Sequence, residues 1–259
     1  IAYHKNKFDR GFNRLINIWG ADHHGYIPRM KAAMEALGYD SNNLEVLLGQ
    51  LVNLIQDGEQ VRMGKRKKMV TLDDLIEEVG VDATRFWMLM RSSDTTIDFD
   101  IDLAKSQSDK NPVFYVQYAH ARGCSILRKA ISKRVDVDNK TELTPLFEQK
   151  EIDEFYNHAD ITSLFDNLSD EQYDATKALI LKLEEGKSLL INAVKYRAPY
   201  MICKYLSELA TTFHHFYNFT RVLSDDRHDS LTKLTLVNSF RIIMASMLSL
   251  IGVSAPEKM

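Results

Sequence analysis

The spacing of apolar residues in the second half of the chain constrains the fold more than any other feature. After Ser106 glycine becomes rare, and apolar residues recur three and four positions apart, as in the stripes Ile202–Thr220 and Leu234–Ile251. This spacing puts their side chains on one face of an α-helix, whereas apolar and polar residues would alternate along a half-buried strand. The second half is therefore predicted to be an all-α bundle. Its helices are expected at Pro112–Ile131, Glu171–Leu183, Ala198–Leu223 and Leu231–Ile251, and the charged segment Lys133–Glu142 is expected to be an exposed loop or linker.

The first half carries a mixed α/β pattern. The largely apolar run Leu15–Trp19 stops at Gly20, which predicts a buried strand. A helix is expected from Tyr26 to Leu37, while Leu44–Leu54 is compatible with either strand or helix. The pair Asp57-Gly58 that follows predicts a hairpin turn.

Two helix starts follow in the sequence. Thr71, with an acid three residues later, predicts a capped helix that Gly80 ends. Asp82 is expected to cap the next helix. The acidic stretch Asp94–Asp102 is predicted to be a connector.

Composition limits the classes of protein and of partner. A net charge of −3 over 259 residues argues against a uniformly basic nucleic-acid binder, and no DNA partner is expected. Cys124 and Cys203 are too few for a disulfide framework or a four-cysteine zinc site, and we expect buried thiols in a reducing compartment. The longest uncharged stretch, Ile242–Pro256, is shorter than the roughly 20 residues that span a bilayer. With no signal-peptide pattern at the N-terminus, a cytoplasmic protein without a membrane partner is expected.

The end of the first predicted strand is a candidate nucleotide site. Ligands of open α/β sheets bind at the carboxyl ends of strands. There Gly20 would permit close approach of a ligand to the backbone, and Asp22 could accept hydrogen bonds from a ribose. The alternative is a tight turn with Asp22 as a helix N-cap. No metal site is expected, because the adjacent His23 and His24 point in different directions and lack a regularly spaced third ligand.

A basic loop at residues 61–69 is a second candidate. Five Lys or Arg residues lie between Arg62 and Lys68, just before a predicted helix, where they could hold a triphosphate and stabilise departing pyrophosphate. The loop has no Walker sequence. On composition alone, the preferred interpretation is a solvated loop or a localisation signal.

The predicted helix Pro112–Ile131 has two different faces. At about 100° per residue, Tyr115, Tyr118 and Arg122 fall opposite an apolar face. Two tyrosines and an arginine on an outer face suit stacking on unpaired bases and contact with phosphate. The alternative is that this face packs on another helix. His120 lies on the apolar side and is predicted to be a core histidine with a satisfied hydrogen bond.

Five sequence phrases occur in one order along the whole chain. They are Trp19–Tyr26 (WGADHHGY), the basic loop around Met63, Asp82–Arg85 (DATR), Asn111–Arg122 (NPVFYVQYAHAR) and the final Ala255–Met259 (APEKM). Taken together, these motifs resemble those of arginyl-tRNA synthetase, a class I aminoacyl-tRNA synthetase.

The resemblance implies a mainly α chain with two parts. Residues 1–106 would be the C-terminal part of a Rossmann-type catalytic domain with a connecting region, and residues 107–259 a helical anticodon-binding domain. Arg62–Arg66 stands in the place of the KMSKS loop, from which it departs at three positions, and its Lys65 is the implied catalytic phosphate contact. The other implied roles are ATP binding by Gly20, Asp22, Val61 and Met63, a place beside the amino-acid pocket for His23, and tRNA binding by Tyr115, Tyr118, Arg122, Tyr217 and Met259.

The activity implied is attachment of L-arginine to tRNA-Arg, with ATP and Mg²⁺ as substrate and no tightly bound cofactor. The class I His-x-Gly-His signature occurs nowhere in these 259 residues. The chain is therefore expected to bind tRNA without being catalytically complete. Two alternatives stay open. One is another class I synthetase with a related helical domain, such as the cysteine enzyme, whose zinc-binding cysteines are missing here. The other is a non-catalytic tRNA-binding module.

Overall fold

The computed structural model describes residues 1–61, 70–131, 133–137, 140–144, 146–158, 161–166 and 168–259. It consists of two compact units, one formed by Ile1–Met69 with Arg91–Asp102 and the other by Val70–Met90 with Leu103–Met259. Residues 70–90 thus belong to the second unit, whereas the predicted division at residue 106 places them in the first part. The functional division at residue 106 stays a prediction.

The first unit begins with a pair of parallel strands. α1 (Ala2–Asp9) precedes β1 (Leu15–Gly20), and α2 (Ile27–Ala36) connects β1 to β2 (Leu44–Gly49). The two strands pair in register from Leu15 opposite Leu44 to Gly20 opposite Gly49. Parallel neighbours need such a crossover connection, and here a helix provides it.

β1 is buried on one face only. Leu15 packs with Met34 and Leu44 in the core of this unit. Ile16 and Ile18, on the other face, are 45% and 78% exposed. The strand is confirmed, but the prediction that it is buried is wrong for the side chains of its second face, which alternate with the buried ones as the pleat requires.

The ambiguous segment Leu44–Leu54 contributes to two strands. β3 (Val52–Gln56) pairs antiparallel with β4 (Glu59–Gln60). Asp57 and Gly58 between them have φ of 54° and 75°, so the predicted hairpin turn is confirmed.

The predicted connector Asp94–Asp102 is wrong in part, because it contains a strand. β5 (Ile97–Asp100) runs parallel to β3. Ile97 and Phe99 are only 9% and 0% exposed, whereas Asp98 is exposed and Asp100 is half-buried, which is the pattern of a half-buried strand.

The second unit is helical. Its helices are α3 (Leu72–Val79), α4 (Val81–Leu89), α6 (Pro112–Ile131), α7 (Gln149–His158), α8 (Asp170–Lys195), α9 (Tyr200–Phe219) and α10 (Arg227–Leu250), and α5 (Ile101–Lys105) follows β5. All four predicted long helices are present. α8 continues well beyond its predicted end, and α7 was not predicted.

One segment of this unit was assigned wrongly. Lys133–Glu142 is not a loop, because β6 (Lys133–Val137) and β7 (Lys140–Thr144) form an antiparallel pair. The signal is present in the sequence, where Val135 and Val137 alternate with charged residues at the period of a strand.

The apolar stripes of α9 and α10 meet in the core of the bundle, as predicted. Phe213 and Phe240 are fully buried, and their rings stack with centroids 3.8 Å apart and 3° between the planes. His120, 2% exposed, has its Nδ1 2.9 Å from the carbonyl oxygen of Pro256, which confirms a core histidine with a partner. Cys124 and Cys203 are buried free thiols.

The two predicted helix starts have different outcomes. Thr71 and Asp74 form a reciprocal capping box at the start of α3, as expected. Asp82 does not cap α4. That helix begins after Gly80, whose φ is 85°, without a side-chain cap, and the Asp82 carboxylate binds elsewhere.

α10 is long and apolar enough to cross a bilayer by length and composition alone. However, 56% of its most apolar window is buried inside the protein, as is usual for the core helix of a bundle.

Candidate nucleic-acid interface

Side chains of α6 and α9 form an aromatic and cationic cluster. Tyr115, Tyr118 and Arg122 lie along one face of α6 because they are three, four and seven positions apart. His214 and Tyr217 face them from α9. The ring centroid of His214 is 5.1 Å from that of Tyr115 and 5.9 Å from that of Tyr118.

This face of α6 is partly covered by α9. Tyr115 and Arg122 are half-buried, and the Tyr115 hydroxyl lies 3.3 Å from Thr211 Oγ1. Tyr118 is 38% exposed. The packing alternative is therefore confirmed in part, since the face contacts α9. The face still presents aromatic surface to solvent, and its role in binding RNA stays a prediction.

Arg122 is held at the centre of the cluster. Its Nη1 donates a hydrogen bond of 2.9 Å to the Tyr118 hydroxyl, and its guanidinium carbon lies 4.2 Å from the centroid of the Tyr217 ring. These contacts fix the cation over an aromatic face. Its Nε has no hydrogen-bond partner among the described residues.

His214 is a member of the cluster that sequence reasoning missed. Burial lowers the pKa of its imidazole, and the nearby Arg122 cation lowers it further, so the ring is neutral at pH 7. Its Nε2 has no partner in the described part of the chain. The available signal was its position three residues before Tyr217, off the apolar stripe of α9.

Two grooves open on either side of Tyr118 and Arg122. One, of about 450 Å³, also contacts Tyr115, His214 and Tyr217. The other, of about 380 Å³, is also lined by Ala121, Ser125, Arg128, Lys258 and Met259. The structure thus places around one surface all five residues to which the resemblance gives a tRNA role.

The arrangement suits the recognition of single-stranded nucleic acid. Exposed aromatic rings stack on bases of any sequence, and a fixed guanidinium can contact a phosphate or stack on a base. Arg128 and Lys258 add positive charge to the second groove. A neutral imidazole offers one donor and one acceptor, which a base edge could use.

The candidate nucleotide site in the first unit has a simple geometry. β1 ends at Gly20, and the Asp22 carboxylate lies so close that a Cβ atom on Gly20 would be 2.6 Å from its Oδ1. Asp22 makes no capping hydrogen bond to the 3₁₀ turn Ala21–Tyr26, so the N-cap alternative is wrong. Its exposed carboxylate remains available, with His23 Nε2 3.7 Å from Oδ2.

The other members of this site are less fully described. The Val61 amide donates a hydrogen bond of 2.8 Å to Leu54 O, which ties the start of the basic loop to β3. Met63, Lys65 and the other cations of the loop lie outside the described residues. Within the described ranges, no three His, Cys, Asp or Glu side chains are grouped as metal ligands.

Comparisons with known proteins show what the chain is similar to. The DALR anticodon binding domain family matches residues 116–259. An arginine–tRNA ligase of Halalkalibacterium halodurans is 46% identical over the whole chain, and one of Listeria welshimeri is 48% identical. The chain spans 42% of the length of each.

A solved structure described as an arginyl-tRNA synthetase from Campylobacter jejuni has a similar fold. Its TM-score is 0.79 at 38% identity, and the match covers 99% of this chain and 50% of that one. The helical architecture, the aromatic surface between α6 and α9 and the family match lead to one conclusion. The chain belongs to the DALR anticodon-binding domain family.

Proposed function

We propose that this chain is part of an arginine–tRNA ligase and that its helical unit binds the anticodon stem-loop of tRNA-Arg. The observation that carries the proposal is the cluster of Tyr115, Tyr118, Arg122, His214 and Tyr217, most of it inside the region matched by the anticodon-binding family. The similarity to arginine–tRNA ligases over the full chain supports the choice of tRNA.

In the whole enzyme two steps follow from this assignment. The carboxylate of L-arginine attacks the α-phosphate of ATP, which forms arginyl-AMP and releases pyrophosphate. A hydroxyl of the terminal ribose of the tRNA then attacks the arginyl carbonyl and releases AMP. Mg²⁺ enters with ATP, and the enzyme acts in the cytoplasm.

The first unit contributes one side of the nucleotide site. Gly20 has no side chain, which lets the Asp22 carboxylate lie against the end of β1, and this exposed carboxylate can accept hydrogen bonds from ribose hydroxyls. Val61 and Met63 would contribute to ATP binding, and His23 would lie beside the amino-acid pocket. Lys65 would stabilise the charge that develops on the leaving pyrophosphate.

RNA binding is tested by titrating a labelled anticodon stem-loop of tRNA-Arg with this chain and its variants. Tyr118→Ala or Tyr217→Ala should weaken binding by about 1–3 kcal/mol, because each removes a stacking surface. Tyr196→Ala is the matched control, since this tyrosine is 63% exposed and lines neither groove. If both cluster variants bind the stem-loop normally but lose much of their stability, this face of α6 serves only to pack against α9.

An ATP–pyrophosphate exchange assay distinguishes an enzyme from a non-catalytic tRNA-binding module. The full-length protein should exchange pyrophosphate with ATP when arginine and tRNA are present. This chain alone should bind the stem-loop without exchange, since it contains no His-x-Gly-His signature. A full-length protein that binds tRNA-Arg but never activates arginine would favour the non-catalytic module.

A further inference from the structure

The segment after α10 is attached to α4 through one carboxylate. Asp82 Oδ1 accepts a hydrogen bond of 3.0 Å from the Ser254 backbone N–H, and its Oδ2 accepts one from the Ser254 hydroxyl. Gln117 on α6 donates to the same Oδ2 at 2.7 Å and to Ser254 O at 3.1 Å. Asp82 makes no cap for its own helix, so these bonds serve the C-terminal segment.

Arg85, one turn further along α4, holds the chain just before that point. Its Nε donates a hydrogen bond of 2.9 Å to Ile251 O. The next residue, Gly252, has φ of 68°, and a Cβ atom there would lie 2.5 Å from Arg85 Nε. Only glycine fits both the left-handed backbone and the close guanidinium, so α10 ends at one defined place.

Two further contacts guide the segment along α6. The carbonyl of Pro256 lies 2.9 Å from Nδ1 of the buried His120, and Glu257 Oε2 is 4.0 Å from Arg128 Nη1. The last two residues, Lys258 and Met259, then reach the groove lined by Tyr118 and Arg122. The C-terminal segment, residues 251–259, thus brings its last two residues to the lining of the candidate RNA surface.

We infer that Asp82 and Arg85 are positioning residues for RNA binding, and that they act through the C-terminal segment. Neither residue lines either groove, so neither is expected to touch RNA. They fix where residues 251–254 leave α10, and this determines where Met259 lies beside Tyr118. The inference rests on the proposed function, because it requires that the groove binds the stem-loop.

The test is a double-mutant cycle on this chain with the anticodon stem-loop of tRNA-Arg as probe. Asp82→Asn should raise the Kd about tenfold, because it weakens hydrogen bonds to a charged acceptor. In a background carrying Lys258→Ala and Met259→Ala the same change should have no further effect on Kd. Equal losses in both backgrounds would mean that Asp82 acts through general stability, and the inference would be overturned.

Controls keep this outcome separate from failure of the proposed function. Ser254→Ala removes one hydroxyl contact without removing the carboxylate, and it replaces Asp82→Asn if that variant does not fold. Ser254→Ala should weaken RNA binding less than Asp82→Asn does. Its effect on Kd should likewise disappear in the background that carries Lys258→Ala and Met259→Ala. Asp73→Asn, the same charge change at an exposed site on α3, should leave Kd unchanged. If the unmodified chain fails to bind the stem-loop, the proposed function itself is wrong and the inference falls with it.

Discussion

Replacing Arg122 by lysine and by alanine separates its charge from its geometry. Both changes remove the guanidinium group. In the unmodified chain this group donates a hydrogen bond of 2.9 Å to the Tyr118 hydroxyl and lies 4.2 Å from the centroid of the Tyr217 ring. The free energy of unfolding should therefore fall by about 1–2 kcal/mol in either variant. Lysine keeps the positive charge in the groove, whereas alanine does not, so the two variants should differ in how RNA binding depends on salt.

The assay is the Kd of the anticodon stem-loop at several salt concentrations. Arg122→Ala should reduce the slope of log K against log salt by about 0.7, the loss of one phosphate contact to unpaired RNA. Arg122→Lys should preserve the slope and weaken binding by roughly 1 kcal/mol, or about fivefold, because the tyrosines are no longer held together.

The result that would refute this reasoning is an unchanged slope in Arg122→Ala. The guanidinium would then neutralise no phosphate, and its role would be to hold Tyr118 and Tyr217. Arg128→Ala is a useful comparison, since this cation lines the groove that contains Met259 but not the groove that contains Tyr217. It should reduce the slope without affecting the contacts between α6 and α9.

Two other predictions concern catalysis and pH. In the full-length enzyme Lys65→Ala should raise the activation free energy of arginine activation by about 3 kcal/mol, which slows the reaction roughly a hundredfold with little change in ATP affinity. Lys67→Ala should slow the reaction less in the same exchange assay. Burial lowers the pKa of His120 in the folded state, so the unfolded chain binds more protons. The free energy of unfolding should therefore fall as pH drops below about 6.5, and His120→Gln should make that decline shallower by at most about 1.4 kcal/mol per pH unit in denaturant titrations.

Periodicity predicts the helical unit well because each long helix buries a stripe of its own. The stripes of α9 and α10 are complete in the sequence, and their largest members are the fully buried residues of the core. The β6–β7 pair was missed because the high charge of this short segment is typical of an exposed loop, and the alternation of Val135 and Val137 with charged residues was not weighed against it. β1 was assigned correctly as a strand, but local composition does not reveal that one of its faces is exposed.

The candidate RNA surface is only partly visible in the sequence. Tyr115, Tyr118 and Arg122 share a helix face, so spacing alone brings them together. Tyr217 and Met259 were assigned by resemblance, since no local pattern relates them to α6. His214 was missed because its partners lie on another helix, and the register between two packed helices is set by side-chain interdigitation rather than by either sequence alone.

Asp82 shows most clearly where local reasoning stops. An acid at the start of a helix favours an N-cap, since it can accept bonds from unpaired backbone amides. In this chain Gly80 already starts α4, which leaves the carboxylate free to bind Ser254, 172 positions away. Glycine at position 252 makes that long-range contact possible, because it ends α10 where the chain can turn towards α4. The side chains of Asp82 and Arg85 therefore make hydrogen bonds with the C-terminal segment and not within their own helix.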